Sequence, residues 1–372
     1  MVRSLGHGGC ERDASKIAIG LDRSRFEPHV AVFEADGFRT PEVEAAGVPI
    51  VTLPVRSFLN STGWCGARQL GAYIRRHGIQ LVHSLDVPLN IFGAPVARFY
   101  RVPAVITSQL SYRDMYPRPY RAALRVTDRL SDRVVVNSRA VGESLKRQPG
   151  FPAHKLVLCY NGVNPAEFFP GPGIRPPALQ DASLVVGSVC VLRPEKRLDW
   201  VLQAFARIYP LHPGLRLLLA GSGPEAANLM TLRDRLGLQS VCHFEPSQAN
   251  VADWMRGIDI YINSSFSESF PNGLLEAMAC GSCVIGSDVG GIPELITHGK
   301  DGLVFDASNC DHLAEMLLLA ATDSELRTRL RREATLTAHR QFSMENTLQR
   351  TECLYQGLLE KQGSPRLEGR AA

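Results

Sequence analysis

The strongest constraint on the fold of this chain is a regular alternation of short β-branched runs with amphipathic segments. Short β-branched runs favour strands and apolar residues three and four apart favour helices, and their alternation is typical of βαβ units with a parallel sheet. The predicted strands of the first half are residues 29–33, 48–53, 81–84, 104–107, 133–137 and 156–159. Those of the second half are residues 184–191, 215–220, 241–244, 258–263, 283–287 and 303–305.

A stretch rich in proline and glycine interrupts this alternation between residues 164 and 182. Because proline fixes φ and lacks a backbone N–H, the stretch cannot form a regular element. The length of 372 residues also favours two domains. We therefore expect two tandem doubly wound, Rossmann-like α/β domains with a cleft between them. The predicted boundaries are 1–164 for the first domain, 165–182 for the linker, 183–345 for the second domain, 346–362 for a C-terminal helix that can pack back on the first domain, and 363–372 for a disordered tail.

The two halves of the chain differ in charge, although the net charge is only +4. Residues 1–165 hold 22 Lys and Arg against 13 Asp and Glu, whereas residues 166–372 hold 19 against 24. A basic first domain favours an anionic surface or substrate. No apolar stretch approaches the ~20 residues of a membrane-spanning helix, and early polar residues exclude a signal peptide. We therefore expect a cytoplasmic protein, at most in contact with the inner face of a membrane.

Two local motifs permit other chemistries. Cys280 and Cys283 have the spacing of half a zinc site or a redox pair, but no second Cys or His pair follows at ligand distance, so packing at a helix end is favoured. The segment Gly221-Ser-Gly223-Pro-Glu-Ala226 matches the dinucleotide fingerprint, which would indicate a nicotinamide enzyme. It follows the second strand of its domain rather than the first, so we interpret it as a strand-to-helix turn.

Two carboxylates eight residues apart mark the strongest candidate site. Glu268 follows the strand predicted at 258–263, and Glu276 lies in the next helix among apolar neighbours. Both lie beside the carboxyl edge of the sheet, where doubly wound domains bind their ligands. They are candidates to bind sugar and ribose hydroxyls, and the alternative is a pair of solvated surface glutamates.

Basic residues and glycines are the candidates for binding phosphate. Arg193 and Lys196 follow the first strand of the second domain, where Lys196 offers a point charge and Arg193 a bidentate fork. Gly8 and Gly9 precede an amphipathic helix of the first domain, so backbone N–H groups at its start can face a phosphate. A purely structural role is the alternative for both segments.

These residues lie in motifs that resemble family 4 glycosyltransferases of the GT-B architecture over almost the whole chain. The E-x7-E segment from Glu268 to Glu276 is highly specific. The other matching motifs are Gly8-Gly9-Cys-Glu11, Val134-Val-Val-Asn137-Ser138, Tyr160-Asn-Gly-Val163, Leu192-Arg-Pro-Glu-Lys196, Ala220-Gly-Ser-Gly-Pro224, Gly290-Gly-Ile-Pro-Glu294 and Asp301-Gly302.

The resemblance implies transfer of a sugar from a nucleotide diphosphate sugar to an acceptor hydroxyl, with retention of anomeric configuration and without a metal or other cofactor. It implies that Glu276 binds the nucleotide ribose, that Glu268 contacts the donor sugar, and that Lys196 and the Gly8-Gly9 loop face the diphosphate. Lys196 and Glu268 are the predicted catalytic residues. The backbone that holds the sugar is, by the same resemblance, that of Phe270, Pro271, Asn272 and Gly273.

The resemblance also implies a role in polysaccharide or glycolipid biosynthesis, with an unidentified acceptor that a lipid could carry and without a nucleic-acid partner. The sequence departs from the family pattern at two places. Val191 stands where the family has an arginine, which leaves Arg193 as the nearby substitute, and Ser108-Gln109 stand where a histidine is common. Val191 keeps open the alternative of a catalytically impaired sugar-nucleotide-binding protein, and a sugar-nucleotide epimerase is a further alternative because such enzymes can share the two-domain architecture.

Four arginines of the first domain recur at helical spacing, three, four and four residues apart: Arg118, Arg121, Arg125 and Arg129. They would form one basic face of a helix. One interpretation is a solvated surface, and the other is docking to anionic membrane lipids.

The strand that this fold normally places before its first glycine loop is nearly missing from the sequence. Only Met1 to Leu5 precede the glycine loop, whereas a central strand of this fold normally has ~5 to 6 residues of its own. We expect the natural product to carry additional apolar residues upstream of Met1, and the alternative is that the domain tolerates a shortened strand.

Overall fold

The computed structural model describes residues 1–6, 8–34, 36–246 and 250–363. The strands of these residues are β1 (Val30–Val32), β2 (Ile50–Thr52), β3 (Leu81–Ser84), β4 (Ala104–Gln109), β5 (Arg133–Val136), β6 (Leu156–Leu158), β7 (Leu184–Val189), β8 (Leu215–Ala220), β9 (Cys242–Glu245), β10 (Ile260–Asn263), β11 (Cys283–Ser287) and β12 (Leu303–Phe305). The helices are α1 (Gly9–Gly20), α2 (Thr40–Ala45), α3 (Ser61–Arg76), α4 (Val87–Phe99), α5 (Arg118–Leu130), α6 (Arg139–Lys146), α7 (Leu198–Ile208), α8 (Ala226–Arg235), α9 (Val251–Arg256), α10 (Asn272–Ala279), α11 (Ile292–Leu295), α12 (Cys310–Thr322), α13 (Ser324–Gln341) and α14 (Met344–Gly363).

The chain divides into two compact units. Unit 1 comprises Met1–Tyr160 and, of the described residues near the C-terminus, α14 from Thr347 onward, and unit 2 comprises Asn161–Asn346. All strands named above pair in parallel, so the prediction of two doubly wound α/β domains is confirmed. The predicted tail 363–372 lies outside the described residues except for its first residue, which ends α14.

The segment predicted to be a linker, 165–182, belongs to unit 2. The N–H of Ile174 donates to the carbonyl of Asp253 at 2.9 Å, and Arg175 Nη2 donates to Asp259 Oδ2 at 2.6 Å. The prolines therefore prevent regular secondary structure in this segment, but they do not make it a separate linker. Side-chain and backbone hydrogen bonds hold the segment against the rest of unit 2.

The sheet of unit 2 has the strand order β12-β11-β10-β7-β8-β9. Helix α7 packs on it because Leu198, Val201, Leu202, Phe205 and Ile208 recur three and four residues apart and form one buried face. This face joins apolar side chains of the strands and of α12 in a single core.

Unit 1 contains the pair β1-β2 and the group β3-β4-β5-β6. The first residues of the chain connect the two. Val2 N–H donates to the Ala31 carbonyl at 3.1 Å, and Leu85 N–H donates to the Met1 carbonyl at 2.9 Å. The short apolar start of the chain thus occupies the central position predicted for it, between β1 and β3.

Helix α14 is anchored on the sheet of unit 1. Tyr355 and Leu358 pack against Ala104 and Ile106 of β4. The Tyr355 hydroxyl lies 2.7 Å from His83 Nδ1, and His83 Nε2 lies 2.7 Å from the Ser108 hydroxyl. Burial lowers the pKa of His83 to about 3.

This partly buried histidine predicts a loss of stability in acid. The unfolded chain protonates His83 near its ordinary pKa of 6.5 while the folded chain keeps it neutral down to about 3, so the free energy of unfolding falls as pH falls through this range. We expect His83→Gln to remove up to ~1.4 kcal/mol per pH unit of that slope. Denaturant titrations between about pH 7 and about pH 4 measure it. The control is His154→Gln, which replaces an exposed histidine and should leave the slope of stability against pH unchanged. A wild-type slope in His83→Gln would contradict the prediction.

Candidate functional site

The site of unit 2 lies where the strand order reverses. The chain passes from β7 to β8 and β9 on one side, and later returns to the other side of β7 with β10. The loops that follow β7 and β10 therefore diverge at the carboxyl edge of the sheet, which is where ligands bind in doubly wound folds. Residues 190–197 form the first loop and residues 264–271 the second.

A partly buried ion pair joins the two loops. Pro194–Lys196 forms a 3-10 turn after β7, and Lys196 Nζ donates to Glu268 Oε2 at 2.5 Å, with the two side chains 22% and 15% exposed. Burial by itself lowers the pKa of Lys196, but the charge and hydrogen bond of Glu268 outweigh burial and raise it. Lys196 is therefore a cation at neutral pH.

Serine hydroxyls hold this pair in place. Ser264 Oγ donates to the Lys196 carbonyl at 2.7 Å, and Ser265 Oγ donates to Glu268 Oε2 at 3.2 Å. Ser287, at the end of β11, donates to the Ser265 carbonyl at 2.6 Å. These serines were not predicted, although two consecutive serines directly after a buried strand are a signal that sequence reasoning could have used.

The start of α10 approaches the end of β7 closely. A Cβ atom on Gly273 would lie 2.7 Å from the Tyr261 hydroxyl and 3.2 Å from the Val189 carbonyl oxygen, so only glycine permits this approach. Phe270 and Pro271 are buried just before the helix begins at Asn272. Backbone N–H groups in the first turn of α10 have no intrahelical acceptor and are suited to a polar or anionic ligand.

Both predicted glutamates lie near one buried tyrosine. Tyr261 of β10 is fully buried and donates its hydroxyl to the Val189 carbonyl at 3.1 Å. Its pKa is raised well above 10, first by burial and then by electrostatic interactions with Cys190, Glu276 and Glu268. Glu276 is itself only 5% exposed. The structure thus brings Glu268 and Glu276 to the same end of β10, and it adds Tyr261, which the alternating pattern had indicated only as a strand residue.

The other predicted phosphate ligands are less tightly placed. The Arg193 side chain is 57% exposed and its guanidinium lies 3.8 Å from Glu195. Val191 is exposed as well. Gly8 and Gly9 lie in unit 1, where Gly8 precedes α1 and Gly9 begins it. A Cβ atom on Gly8 would lie 2.1 Å from a Glu11 carboxylate oxygen, which is the flexible end of a side chain and can move away.

The two motifs with alternative chemistries have structural explanations. A Cβ atom on Gly221, whose φ is +144°, would lie 1.8 Å from the Cys190 carbonyl oxygen, so glycine lets the loop after β8 pack on the loop after β7. Burial raises the pKa of both Cys280 and Cys283 to about 12. Among the described residues, no group of three or more His, Cys, Asp or Glu could hold a metal ion.

Comparison with known proteins matches both units. The family described as Glycosyltransferase Family 4 matches residues 7–167, and Glycosyl transferases group 1 matches residues 174–337. D-inositol 3-phosphate glycosyltransferase of Kribbella flavida is 31% identical to this chain over 92% of this chain and 79% of its own length. N-acetyl-alpha-D-glucosaminyl L-malate synthase of Bacillus anthracis is 33% identical over 49% of this chain and 47% of its own length.

The fold is shared with solved structures. HepE of Anabaena in complex with UDP superposes with a TM-score of 0.82 at 21% identity, over 96% of this chain and 98% of that one. Sucrose-phosphate synthase of Thermosynechococcus elongatus has a TM-score of 0.82 at 18% identity, over 97% and 96%.

Two Rossmann-like units and these matches define a glycosyltransferase with the GT-B fold. The chain belongs to glycosyltransferase family 4, as the E-x7-E motif predicted. It spans 47% of the Bacillus enzyme and 24% of an exopolysaccharide phosphotransferase of Streptomyces coelicolor, another relative. Among the described residues, no helix has both the length and the apolar character to cross a bilayer.

Proposed function

We propose that this chain transfers a sugar from a nucleotide diphosphate sugar to an acceptor hydroxyl, with retention of anomeric configuration and without a metal or other cofactor. The observation that carries the proposal is the Lys196–Glu268 pair at the switch point of unit 2, with Glu276 buried near the same strand end. A cation and two carboxylates complement a diphosphate and the hydroxyls of two sugars. Membership of the family supports retention.

The ion pair suggests how the leaving group is stabilised. When the bond between the sugar C1 and the diphosphate oxygen breaks, negative charge accumulates on that oxygen. Lys196 can exchange Glu268 for the diphosphate, and Glu268 is then available to accept hydrogen bonds from the donor sugar. The acceptor oxygen forms the new bond to C1, and its proton passes to the leaving phosphate oxygen.

The remaining predicted residues take supporting roles in this proposal. The Glu276 carboxylate accepts hydrogen bonds from the ribose hydroxyls, and the first turn of α10 holds the sugar through backbone groups. Arg193, exposed beside the pair, is free to turn toward the diphosphate, and Gly8 and Gly9 offer backbone N–H groups to phosphate from the start of α1.

A screen of nucleotide sugars tests the function. HepE has been crystallised with UDP-glucose, so UDP sugars come first. A bound donor at 100 times its Kd should stabilise the protein by about 2.7 kcal/mol. Nucleotide release that requires an acceptor supports a transferase, release of free sugar or epimer without acceptor indicates an epimerase, and binding without release indicates an impaired enzyme. If no nucleotide sugar binds, the proposal is wrong.

Replacing Tyr261 with phenylalanine tests whether its hydrogen bond to the Val189 carbonyl stabilises the donor site. The change removes one hydroxyl, so we expect the free energy of unfolding to fall by about 1 kcal/mol as the Val189 carbonyl loses its donor. We also expect weaker binding of UDP, because the hydroxyl lies between the end of β7 and the start of α10. Denaturant titration and calorimetry measure the two effects. The control is Tyr209→Phe, which alters another tyrosine of unit 2 and should leave UDP affinity unchanged. Wild-type UDP affinity in Tyr261→Phe would show that the Tyr261 hydroxyl does not support the donor site.

We further propose that α5 contacts anionic membrane lipids and brings the protein to a lipid-linked acceptor in polysaccharide or glycolipid biosynthesis. Arg118, Arg125 and Arg129 are exposed on α5. Exposed apolar residues adjoin them, with Val126 at 53% and Tyr120 at 38% exposure. Such a face combines Coulomb attraction with apolar contact at a headgroup layer.

Vesicle flotation measures this contact. We expect binding to vesicles that contain phosphatidylglycerol and little binding to neutral phosphatidylcholine, with a loss of about 1 kcal/mol for each arginine removed. The variant Arg118→Ala/Arg129→Ala should therefore bind anionic vesicles about thirtyfold more weakly. Equal binding to neutral and anionic vesicles would show that α5 is only a solvated surface.

A further inference from the structure

A groove of about 710 Å³ lies beside α5 in unit 1, between that helix and the C-terminal end of α6. Its basic side chains are Arg121 and Arg125 of α5 and Arg147, which follows α6. Only two of the four arginines on the basic face of α5 line it, since Arg118 and Arg129 lie outside. The groove is therefore a distinct feature within a generally basic surface.

The lining holds three arginines against two carboxylates, Asp114 and Glu143, so its net charge is positive. Glu143 is paired with Lys146 at 2.8 Å, and Asp114, whose side chain is 83% exposed, lies 3.5 Å from Arg121. An exposed pair of that length contributes little. Among the described residues, the guanidinium groups of Arg125 and Arg147 form no salt bridge within 4.0 Å.

A buried network holds the walls of the groove in a fixed relation. Arg113 is 2% exposed and makes a bidentate pair with Asp128 of α5, at 2.5 and 2.8 Å. Its Nη1 also donates to Gln148 Oε1 at 3.3 Å, and Gln148 lines the groove next to Arg147. One guanidinium thus ties α5 to the segment after α6, the two segments that carry Arg125 and Arg147.

The chemistry of the groove matches a phosphoryl group. Guanidinium groups form bidentate hydrogen bonds with phosphate oxygens, and several of them on a fixed frame bind a multiply charged phosphate better than a single charge. Ser144 adds a hydroxyl donor to the lining. A carboxylate ligand would offer fewer oxygens to this number of donors.

We propose that this groove is a binding site for a phosphoryl group, held by Arg121, Arg125 and Arg147. The phosphoryl group belongs either to a lipid headgroup or to a free phosphorylated ligand. The site extends the proposed membrane contact of α5, but it depends on the groove rather than on the whole basic face. Its lining residues all belong to unit 1, whereas the Lys196–Glu268 pair belongs to unit 2.

Vesicle binding with matched variants tests the proposal. Phosphatidic acid exposes a phosphomonoester and phosphatidylglycerol a diester, so the wild-type protein should prefer phosphatidic acid at equal surface charge. Arg125→Ala/Arg147→Ala removes two charges from the groove, and Arg118→Ala/Arg129→Ala removes two from outside it. We expect the ratio of the affinities for phosphatidic acid and phosphatidylglycerol to fall at least tenfold in the groove variant. The control variant should bind both lipids more weakly and keep the wild-type ratio.

Inorganic pyrophosphate distinguishes the two sources of the ligand. At constant ionic strength it should release the wild-type protein and Lys196→Ala equally from phosphatidic acid vesicles, because the competition occurs in the groove and not at the donor site. Binding of pyrophosphate in the groove without any preference between lipids would assign the site to a free phosphorylated ligand. If neither the lipid preference nor the competition depends on Arg125 and Arg147, the proposal is wrong. None of these readouts needs sugar transfer, so they stand apart from the test of the proposed function.

Discussion

Replacing Lys196 with alanine is expected to lower turnover by about two to three orders of magnitude, the effect of removing one preorganised donor to a developing anion. Donor affinity should fall much less, because the charge on the leaving diphosphate grows toward the transition state. Rates of nucleotide release at saturating donor give kcat, and calorimetry with UDP gives the affinity. Full turnover in Lys196→Ala would exclude this residue from the mechanism.

Two controls separate chemistry from stability in this experiment. Lys300→Ala removes an exposed lysine of the same unit and should leave kcat unchanged. Because Lys196→Ala leaves the Glu268 carboxylate without its cation, the free energy of unfolding is measured for both variants. Lys196→Arg keeps the charge but changes its geometry, so it should recover only part of the turnover.

Replacing Glu276 with alanine is expected to weaken UDP binding by about tenfold to a hundredfold. A hydrogen bond to a charged group contributes about 1.5 to 3 kcal/mol, and each 1.4 kcal/mol corresponds to tenfold in affinity. Glu276→Gln keeps the volume of this buried side chain and removes only its charge, so it shows whether the loss comes from chemistry or from a cavity. Calorimetry with UDP measures both variants.

The exposed Glu315 on α12 provides the matched control, because Glu315→Ala removes a carboxylate of the same unit at a solvated position. Unchanged UDP affinity in Glu276→Ala would exclude Glu276 from the donor site. Lys196→Ala and Glu276→Ala together form a clear contrast, in which one variant mainly loses kcat and the other mainly loses affinity.

The amino-acid sequence by itself determined the class of fold and the edge at which the site lies. The alternation of β-branched runs with helical spacing is a local property, and a parallel sheet is the arrangement that buries such runs on both faces. The E-x7-E spacing likewise places Glu268 in the loop after one strand and Glu276 in the helix that follows it. Both inferences use neighbours along the chain, and α10 begins close to where this spacing predicts.

Boundaries that depend on tertiary contacts were predicted less well. The strand predicted to continue to residue 191 ends at Val189, because Cys190 lies where the glycine turn after β8 packs against it. The segment 165–182 was predicted as a linker from its prolines, yet Arg175 holds it to Asp259 of unit 2. Prolines predict where regular secondary structure ends. They do not predict which distant side chain binds the segment.

Only the tertiary structure decided which residues of the site touch one another. Lys196 and Glu268 are 72 positions apart, and they meet because the strand order places β7 beside β10. His83 and Tyr355 are 272 positions apart and meet because α14 returns to the sheet of unit 1. Tyr261 has the pattern of an ordinary strand residue, and its hydroxyl gains a role only from its position between Val189 and Gly273. Periodicity records which face of an element is buried, whereas the pairing of charges and hydroxyls depends on the order in which the elements pack.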